Sequence, residues 1–114
     1  MDDRQLQVTL ADGRVQTFAL DQPSVSVGRA EENGVHLDDL SVSRRHARFI
    51  LEDGDLYIED LGSGSGTFIG AKQLAPRTRY VIDDGDALRF GDVQARCDRT
   101  APARRWTLVW LRTD

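Results

Sequence analysis

Residues 47–60 read Ala-Arg-Phe-Ile-Leu-Glu-Asp-Gly-Asp-Leu-Tyr-Ile-Glu-Asp, and this stretch decides the fold class. Apolar residues occupy every second position from Ala47 to Leu51, which predicts a half-buried strand. Asp53-Gly54 follows, and glycine tolerates the positive φ that a tight hairpin turn needs. A second strand-like run then extends to Asp60. The stretch therefore predicts two antiparallel strands joined by a short turn.

The same period of two recurs on both sides of this hairpin. Asp12-Gly13 predicts another hairpin with a two-residue turn, and Asp84-Gly85 and Gly91-Asp92 mark further turns. No window of twelve residues keeps a helical apolar face, so we expect little or no helix. Many short strands with regular turns favour an all-β, two-sheet sandwich of about eleven strands. The strands are predicted at 4–11, 14–20, 24–28, 35–37, 46–52, 55–60, 67–69, 79–82, 87–90, 93–97 and 105–112.

Length and composition narrow the class of protein. With 114 residues we expect one domain over 1–114, with its core at about 6–97 and its last strand at about 105–112. No apolar run could span a bilayer and the N-terminus lacks signal-peptide features, so we expect a cytoplasmic protein without a membrane partner. Only one of the 15 basic residues is a lysine, which suggests a bacterial, GC-rich source. A net charge of −4 argues against nucleic acid as a partner.

The sequence does not match the common motifs of enzymes or metal sites. Ser43, His46 and Asp60 are the residue types of a hydrolytic triad. A triad needs the three side chains in contact, and their spacing in the sequence does not show such contact. Gly64 stands where a nucleophile elbow needs serine, and no glycine stands directly before Lys72 as a P-loop requires. The lone Cys97 excludes internal disulfides and a cysteine zinc cluster. We therefore expect no enzyme, no metal site and no cofactor.

A basic cluster is more informative in so acidic a chain. Arg44, Arg45, His46 and Arg48 lie within five positions, directly after Ser43. One interpretation is a solvated strand edge, where charged side chains discourage pairing with another sheet. The other is an oxyanion site, because a serine hydroxyl, turn N–H groups and arginine match phosphate oxygens. The cluster alone leaves both interpretations open.

Two glycine features accompany this cluster. Gly28-Arg29 ends an alternating run, so the arginine would project from a strand end. Residues 62–66 read Gly-Ser-Gly-Ser-Gly and precede Thr67. A flexible linker is one interpretation of this run. A tight inter-strand loop is the other, and we favour it because strand-like sequence lies on both sides.

Taken in order, these features resemble the forkhead-associated (FHA) domain. The family pattern runs Gly-Arg, then Ser-x-x-His, then Asp-Leu-x-Ser-x-Asn-Gly-Thr. Here the corresponding segments are 28–29, 43–46 and 60–67, and residues 84–91 resemble the closing stretch of the family. The resemblance covers about residues 6–97. It implies a β-sandwich of about eleven strands, whose loops at one end bind a phosphothreonine-containing protein or peptide, the product of a Ser/Thr kinase.

The resemblance also implies roles for individual residues. Arg29 would contact the phosphate, Ser43 would donate its hydroxyl, and Arg44 would add its backbone N–H. His46 would brace the loops without touching the ligand. Gly64 and Ser65 would lie against the peptide. The positions expected to shape the loops are Gly28, His46, Gly66 and Thr67.

Two positions depart from the family pattern. The family often has Ser or Thr at the position of Gly64, and Asn at the position of Ser65. The asparagine bonds the peptide backbone, which a serine cannot match with a paired donor and acceptor. An alternative function is therefore a phosphate-independent interaction or oligomerisation scaffold with a degenerate peptide site. The apolar run 106–111, with Trp106 and Trp110, also motivates this alternative.

Overall fold

A computed structural model describes residues 4–99, which form eleven strands and no helix. The prediction of an all-β protein is confirmed, and the strands predicted between residues 4 and 97 are all present. The strand predicted at 105–112 lies outside the described residues. The strands are β1 (Arg4–Thr9), β2 (Val15–Ala19), β3 (Ser24–Gly28), β4 (Val35–His36), β5 (Ala47–Glu52), β6 (Asp55–Asp60), β7 (Thr67–Ile69), β8 (Lys72–Gln73), β9 (Arg79–Ile82), β10 (Ala87–Phe90) and β11 (Val93–Arg99).

The strands form two sheets of a sandwich. One sheet has the order β2-β1-β11-β10-β7-β8, and the other has the order β4-β3-β5-β6-β9. Alternate side chains of both sheets face inward, as the period of two predicts. Phe49 of β5 meets Phe90 of β10 edge-on, with ring centroids 6.2 Å apart. These contacts give a continuous apolar core, whose largest buried side chains are Leu6, Leu20, Leu37, Phe49, Leu56, Ile58 and Phe90.

The local sequence predicted the length of one hairpin turn correctly and that of another incorrectly. Between β5 and β6, Asp53 and Gly54 both have positive φ (53° and 82°), as the predicted two-residue turn requires. The β1–β2 prediction of two residues was wrong. Leu10 N–H donates to the Arg14 carbonyl at 2.8 Å, so the turn contains residues 11–13. The extra residue precedes Gly13, whose positive φ of 90° reverses the chain.

Two further differences between the predicted and observed strands are a missed strand and a longer strand. The pattern did not predict β8, because two exposed residues cannot display an alternation. Strand β11 continues to Arg99, two residues beyond its predicted end at residue 97. Within residues 4–99, no helix is long and apolar enough to cross a membrane.

Backbone hydrogen bonds gather three loops at one end of the sandwich. The β3–β4 loop bonds the β4–β5 loop through Arg29 N–H and the Ser43 carbonyl at 3.0 Å. The β4–β5 loop bonds the β6–β7 loop through Leu61 N–H and the His46 carbonyl at 3.0 Å. We call this end, formed by residues 29–34, 37–46 and 61–66, the recognition end.

Candidate functional site

Arg29 and Ser43 lie side by side at the recognition end. Strand β3 ends at Gly28, and the next residue, Arg29, donates its backbone N–H to the Ser43 carbonyl. The Nε of Arg29 donates to the Val42 carbonyl at 3.0 Å, which fixes the guanidinium beside the serine. Its terminal NH₂ groups have no hydrogen-bond partner among residues 4–99. They are therefore free to bind an anion.

Gly28 is required by the close approach of the Arg44 backbone. A Cβ atom at Gly28 would lie 2.2 Å from the Arg44 carbonyl oxygen and 2.7 Å from Nδ2 of Asn33. Asn33 is itself buried, and its amide donates to the carbonyls of Ala30 (2.8 Å) and Arg44 (2.9 Å). The amide thus joins the β3–β4 loop to the β4–β5 loop. Asn33 was not among the predicted site residues, because an Asn-Gly pair after a strand indicates only a turn.

The hydroxyl of Ser43 is held in place by the glycine-rich loop. Its Oγ accepts a hydrogen bond from the Gly64 N–H at 3.0 Å. Because the oxygen accepts this bond, the hydroxyl proton remains available to a ligand. The loop and the serine together therefore present a polarised donor near the Arg29 guanidinium.

His46 braces this arrangement from the interior. Its side chain is fully buried, and its Nδ1 accepts the Ser43 backbone N–H at 3.0 Å. Since Nδ1 accepts, Nε2 carries the proton and donates to the Gly66 carbonyl at 2.8 Å. Burial lowers the pKa of His46 despite the opposing effects of Gly66 and Asp60. The ring is thus neutral, and with both nitrogens occupied it is not placed as a base toward the Ser43 hydroxyl.

Asp60 holds the glycine-rich loop closed. Its carboxylate accepts the N–H groups of Gly62 (2.9 Å) and Ser63 (3.1 Å), and the hydroxyls of Ser63 and Thr67. Burial alone would raise the pKa of Asp60, but the hydrogen bonds of Ser63, Thr67 and Gly62 outweigh it and hold the pKa below its usual value. Asp60 therefore acts as a charged anchor for the loop. The sequence alone indicates Asp60 only as a candidate triad residue and as part of the family motif.

Position 66 requires glycine for two reasons. Its φ is +91°, and a Cβ atom would lie 2.8 Å from Nε2 of Gln73 and 3.1 Å from the Phe68 ring. Its carbonyl accepts both His46 Nε2 and the Gly91 N–H at 3.0 Å. The glycine thus links the loop to the imidazole below and to the β10–β11 turn beside it.

The basic cluster divides into residues with different positions. Arg44 and Arg45 are exposed on the β4–β5 loop, and no carboxylate of residues 4–99 lies within 4 Å of either guanidinium. Arg48 instead pairs with Glu59 across β5 and β6 at 2.8 Å. Strand β5 is central in its sheet, so the edge-strand interpretation was wrong.

The predicted site residues therefore converge, with one peripheral member. Backbone or side-chain hydrogen bonds connect Arg29, Ser43, Gly64 and the buried His46. Ser65 is exposed on the same loop and makes no hydrogen bond within the described part of the chain. Among residues 4–99, no group of His, Cys, Asp and Glu side chains could hold a metal ion.

The chain is similar in sequence to bacterial proteins over 74 residues. The oxoglutarate dehydrogenase inhibitor of Corynebacterium glutamicum is 40% identical over 74 residues, which is 65% of this chain and 50% of that protein. The glycogen accumulation regulator GarA of Mycolicibacterium smegmatis is 42% identical over 74 residues, 65% of this chain and 45% of that protein. The chain thus spans about half the length of these relatives.

Solved structures show the same sandwich. An FHA domain studied for phosphothreonine-dependent interactions superposes with a TM-score of 0.72 at 29% identity, covering 84% of this chain and 95% of that one. Mycobacterium tuberculosis EmbR in complex with a low-affinity phosphopeptide gives 0.73 at 27% identity, covering 84% of this chain and 24% of that one. The FHA domain family model matches residues 25–91. The chain therefore belongs to the FHA domain family.

Proposed function

We propose that this domain recognises phosphothreonine-containing peptides through Arg29, Ser43 and Arg44. The observation that carries the proposal is the junction of Arg29 with Ser43. There a guanidinium whose terminal NH₂ groups have no partner among residues 4–99 lies beside a hydroxyl whose oxygen is already bonded. A phosphothreonine carries about −1.5 to −2 charges at pH 7. Charge-assisted hydrogen bonds to such a group contribute roughly 1.5–3 kcal/mol each. Two of them account for a phosphate-dependent affinity.

The surrounding residues define the remainder of the proposed contact. The exposed guanidiniums of Arg44 and Arg45 add positive potential around the phosphate. Gly64 and Ser65 lie on the opposite loop, where they face the peptide backbone without supplying the family's asparagine amide. The phosphate contacts thus provide most of the affinity, and the peptide backbone provides less of it than in a domain that carries asparagine.

The proposed mode of action is binding without catalysis, in a bacterial cytoplasm. Both nitrogens of His46 are used by the scaffold, which supports a non-catalytic role for Ser43. The relatives named above as an inhibitor and a regulator point in the same direction. By analogy, the partner is a protein phosphorylated by a Ser/Thr kinase. Cys97 is a buried free thiol, which suits a reducing compartment.

A calorimetric titration with matched peptides tests the proposal. One sequence is synthesised with threonine, phosphoserine and phosphothreonine at the same position. We expect binding of the phosphothreonine form only, and at least a tenfold loss of affinity in Arg29→Ala. Arg48→Ala is the matched control, because its guanidinium pairs with Glu59 within the sheet. Equal affinities for the threonine and phosphothreonine forms would reject the proposal.

One observation favours a second candidate function, the phosphate-independent scaffold. Leu40 is 93% exposed on the β4–β5 loop, close in sequence to the proposed phosphate residues. An apolar side chain so displayed can contact a partner without phosphate. If this contact dominates, partner binding survives phosphatase treatment and Arg29→Ala but is lost in Leu40→Ser.

A further inference from the structure

Arg77 occupies an unusual backbone position beside the glycine-rich loop. It lies between β8 and β9, and its N–H donates to the Asp60 carbonyl at 2.8 Å. Asp60 also anchors the glycine-rich loop through its carboxylate. Arg77 and the loop are therefore fixed to the same residue.

The guanidinium of Arg77 reaches over the start of that loop. Its Nη2 would lie 3.9 Å from a Cβ atom built on Gly62. Arg77 is exposed, and no carboxylate of residues 4–99 lies within 4 Å of its guanidinium. Within the described part of the chain it is therefore a cation without an ion-pair partner, beside the recognition end and separate from Arg29, Arg44 and Arg45.

Chain geometry limits the distance between the Arg77 guanidinium and the proposed phosphate position beside Ser43. A Cβ atom on Gly64, two residues from Gly62, would lie 3.9 Å from the Ser43 hydroxyl oxygen. Since two residues span at most ~7 Å, the Arg77 guanidinium and the Ser43 hydroxyl are no more than about 18 Å apart. An extended peptide covers that distance in about five residues.

Backbone conformation indicates that the side chain at this position is not there for stability. Arg77 has a φ of +58°, in the left-handed region that glycine adopts at little cost. Most other side chains, arginine included, incur a steric penalty there. Because the guanidinium has no partner within residues 4–99, no contact described offsets this penalty.

We propose that Arg77 forms a second anion-binding site that takes a carboxylate or a second phosphate of the partner, within about five residues of the phosphothreonine. The proposal rests on the phosphothreonine function proposed above. It adds that the partner segment carries a further negative charge on the side of the β6–β7 loop. An arginine fork can bind either oxyanion with two parallel hydrogen bonds.

Peptide scanning tests this site. In a phosphothreonine peptide with alanine flanks, glutamate replaces each of the five residues on either side in turn, with glutamine as the reference. A second series places phosphoserine at the same positions. We expect one position at which glutamate binds about three- to fivefold tighter than glutamine, and phosphoserine tighter still. The two series distinguish a carboxylate from a phosphate as the preferred group.

Four variants separate charge, backbone strain and bulk electrostatics. Arg77→Gln should abolish the preference for the anionic residue, and Arg77→Gly should abolish it while raising Tm by about 2–5 °C. Arg96→Gln makes the same charge change on β11 and should keep the preference. Asp53→Gly also relieves a positive φ, in the β5–β6 turn, and should raise Tm without altering the preference.

The outcomes also separate this site from the proposed function. If no position prefers an anion, if Arg77→Gln keeps the preference, or if Arg96→Gln removes it equally, the second site is rejected. In each of these cases phosphothreonine dependence of the glutamine peptide still supports the proposed function. If the glutamine peptide binds equally well without its phosphate, the proposed function itself fails.

Discussion

The backbone N–H of Ser43 donates to Nδ1 of His46 at 3.0 Å, and this bond joins a proposed phosphate-binding residue to the sandwich interior. The opposite ring nitrogen donates to the Gly66 carbonyl of the facing loop at 2.8 Å. One neutral imidazole thus sets the spacing of two loops. A protonated ring would lose the Nδ1 acceptor and leave the Ser43 N–H without its partner.

Stability should therefore fall in mildly acidic solution. The pKa of His46 is lowered by burial, whereas in the unfolded chain it lies near its ordinary value of 6.5. Below that pH the unfolded state binds a proton that the folded state resists, so stability is complete above pH 6.5 and decreases as the pH falls toward the folded-state pKa. Thermal unfolding between pH 7.5 and about 4.5 measures this, since unfolded carboxylates titrate mainly below that range.

The matched control for this prediction is His46→Gln, which retains a polar side chain and does not titrate. We expect a lower Tm in this variant at pH 7.5 and a flatter dependence of Tm on pH. Parallel curves for the two proteins would mean that His46 is not the group responsible.

Gly28→Ala should disturb the site through the backbone. The added Cβ would lie 2.2 Å from the Arg44 carbonyl oxygen, a contact that only a backbone shift can relieve. We expect a loss of about 1–3 kcal/mol in unfolding free energy, with weaker phosphopeptide binding in the protein that remains folded. Gly64→Ala is the control, because its Cβ would meet only the Ser43 oxygen at 3.9 Å. Equal stability of the two variants would argue against the described contact.

Asp60→Asn should weaken the hydrogen bonds that hold the glycine-rich loop while it keeps a polar side chain at position 60. The amide keeps one acceptor oxygen but loses the charge that strengthens the bonds from Gly62, Ser63 and Thr67. Urea unfolding should report a loss of about 1–3 kcal/mol. Glu59→Gln removes the same charge one residue earlier, from a cross-strand pair with Arg48, and should cost less. A smaller effect at Asp60 than at Glu59 would refute the anchoring role.

Gly64→Ser should strengthen phosphopeptide binding. Gly64 is exposed and its φ lies outside the left-handed region, so a side chain fits without strain. The new hydroxyl would stand near that of Ser43 and supply one more hydrogen bond, worth about 0.5–1.5 kcal/mol, or roughly two- to tenfold in affinity. Calorimetry against Gly64→Ala isolates the hydroxyl. Unchanged affinity would place the phosphate away from this loop.

The sequence was sufficient for features that local chemistry controls. Alternation between Ala47 and Leu51 predicted β5, and Asp53-Gly54 predicted its turn, because both depend on neighbouring residues only. The ordered motifs also placed Arg29 and Ser43 in one family pattern. The structure adds that a hydrogen bond joins the backbones of these two residues.

What the sequence missed depends on contacts between distant segments. Asn33 bonds the Arg44 carbonyl eleven residues away, and Arg77 bonds the Asp60 carbonyl across two strands. Neither contact leaves a local pattern. Strand β8, at Lys72–Gln73, was missed because its pairing with β7 defines it rather than its composition.

A double-mutant cycle at Arg29 and Ser43 tests the central claim most directly. The affinity for one phosphothreonine peptide is measured by calorimetry in the wild type, Arg29→Ala, Ser43→Ala and the double variant. If both residues grip the same phosphate, we expect a loss of ten- to a hundredfold at Arg29, a smaller loss at Ser43, and a double loss at least threefold below the product of the two. Losses that multiply without coupling, or single variants that bind like the wild type, would contradict the claim.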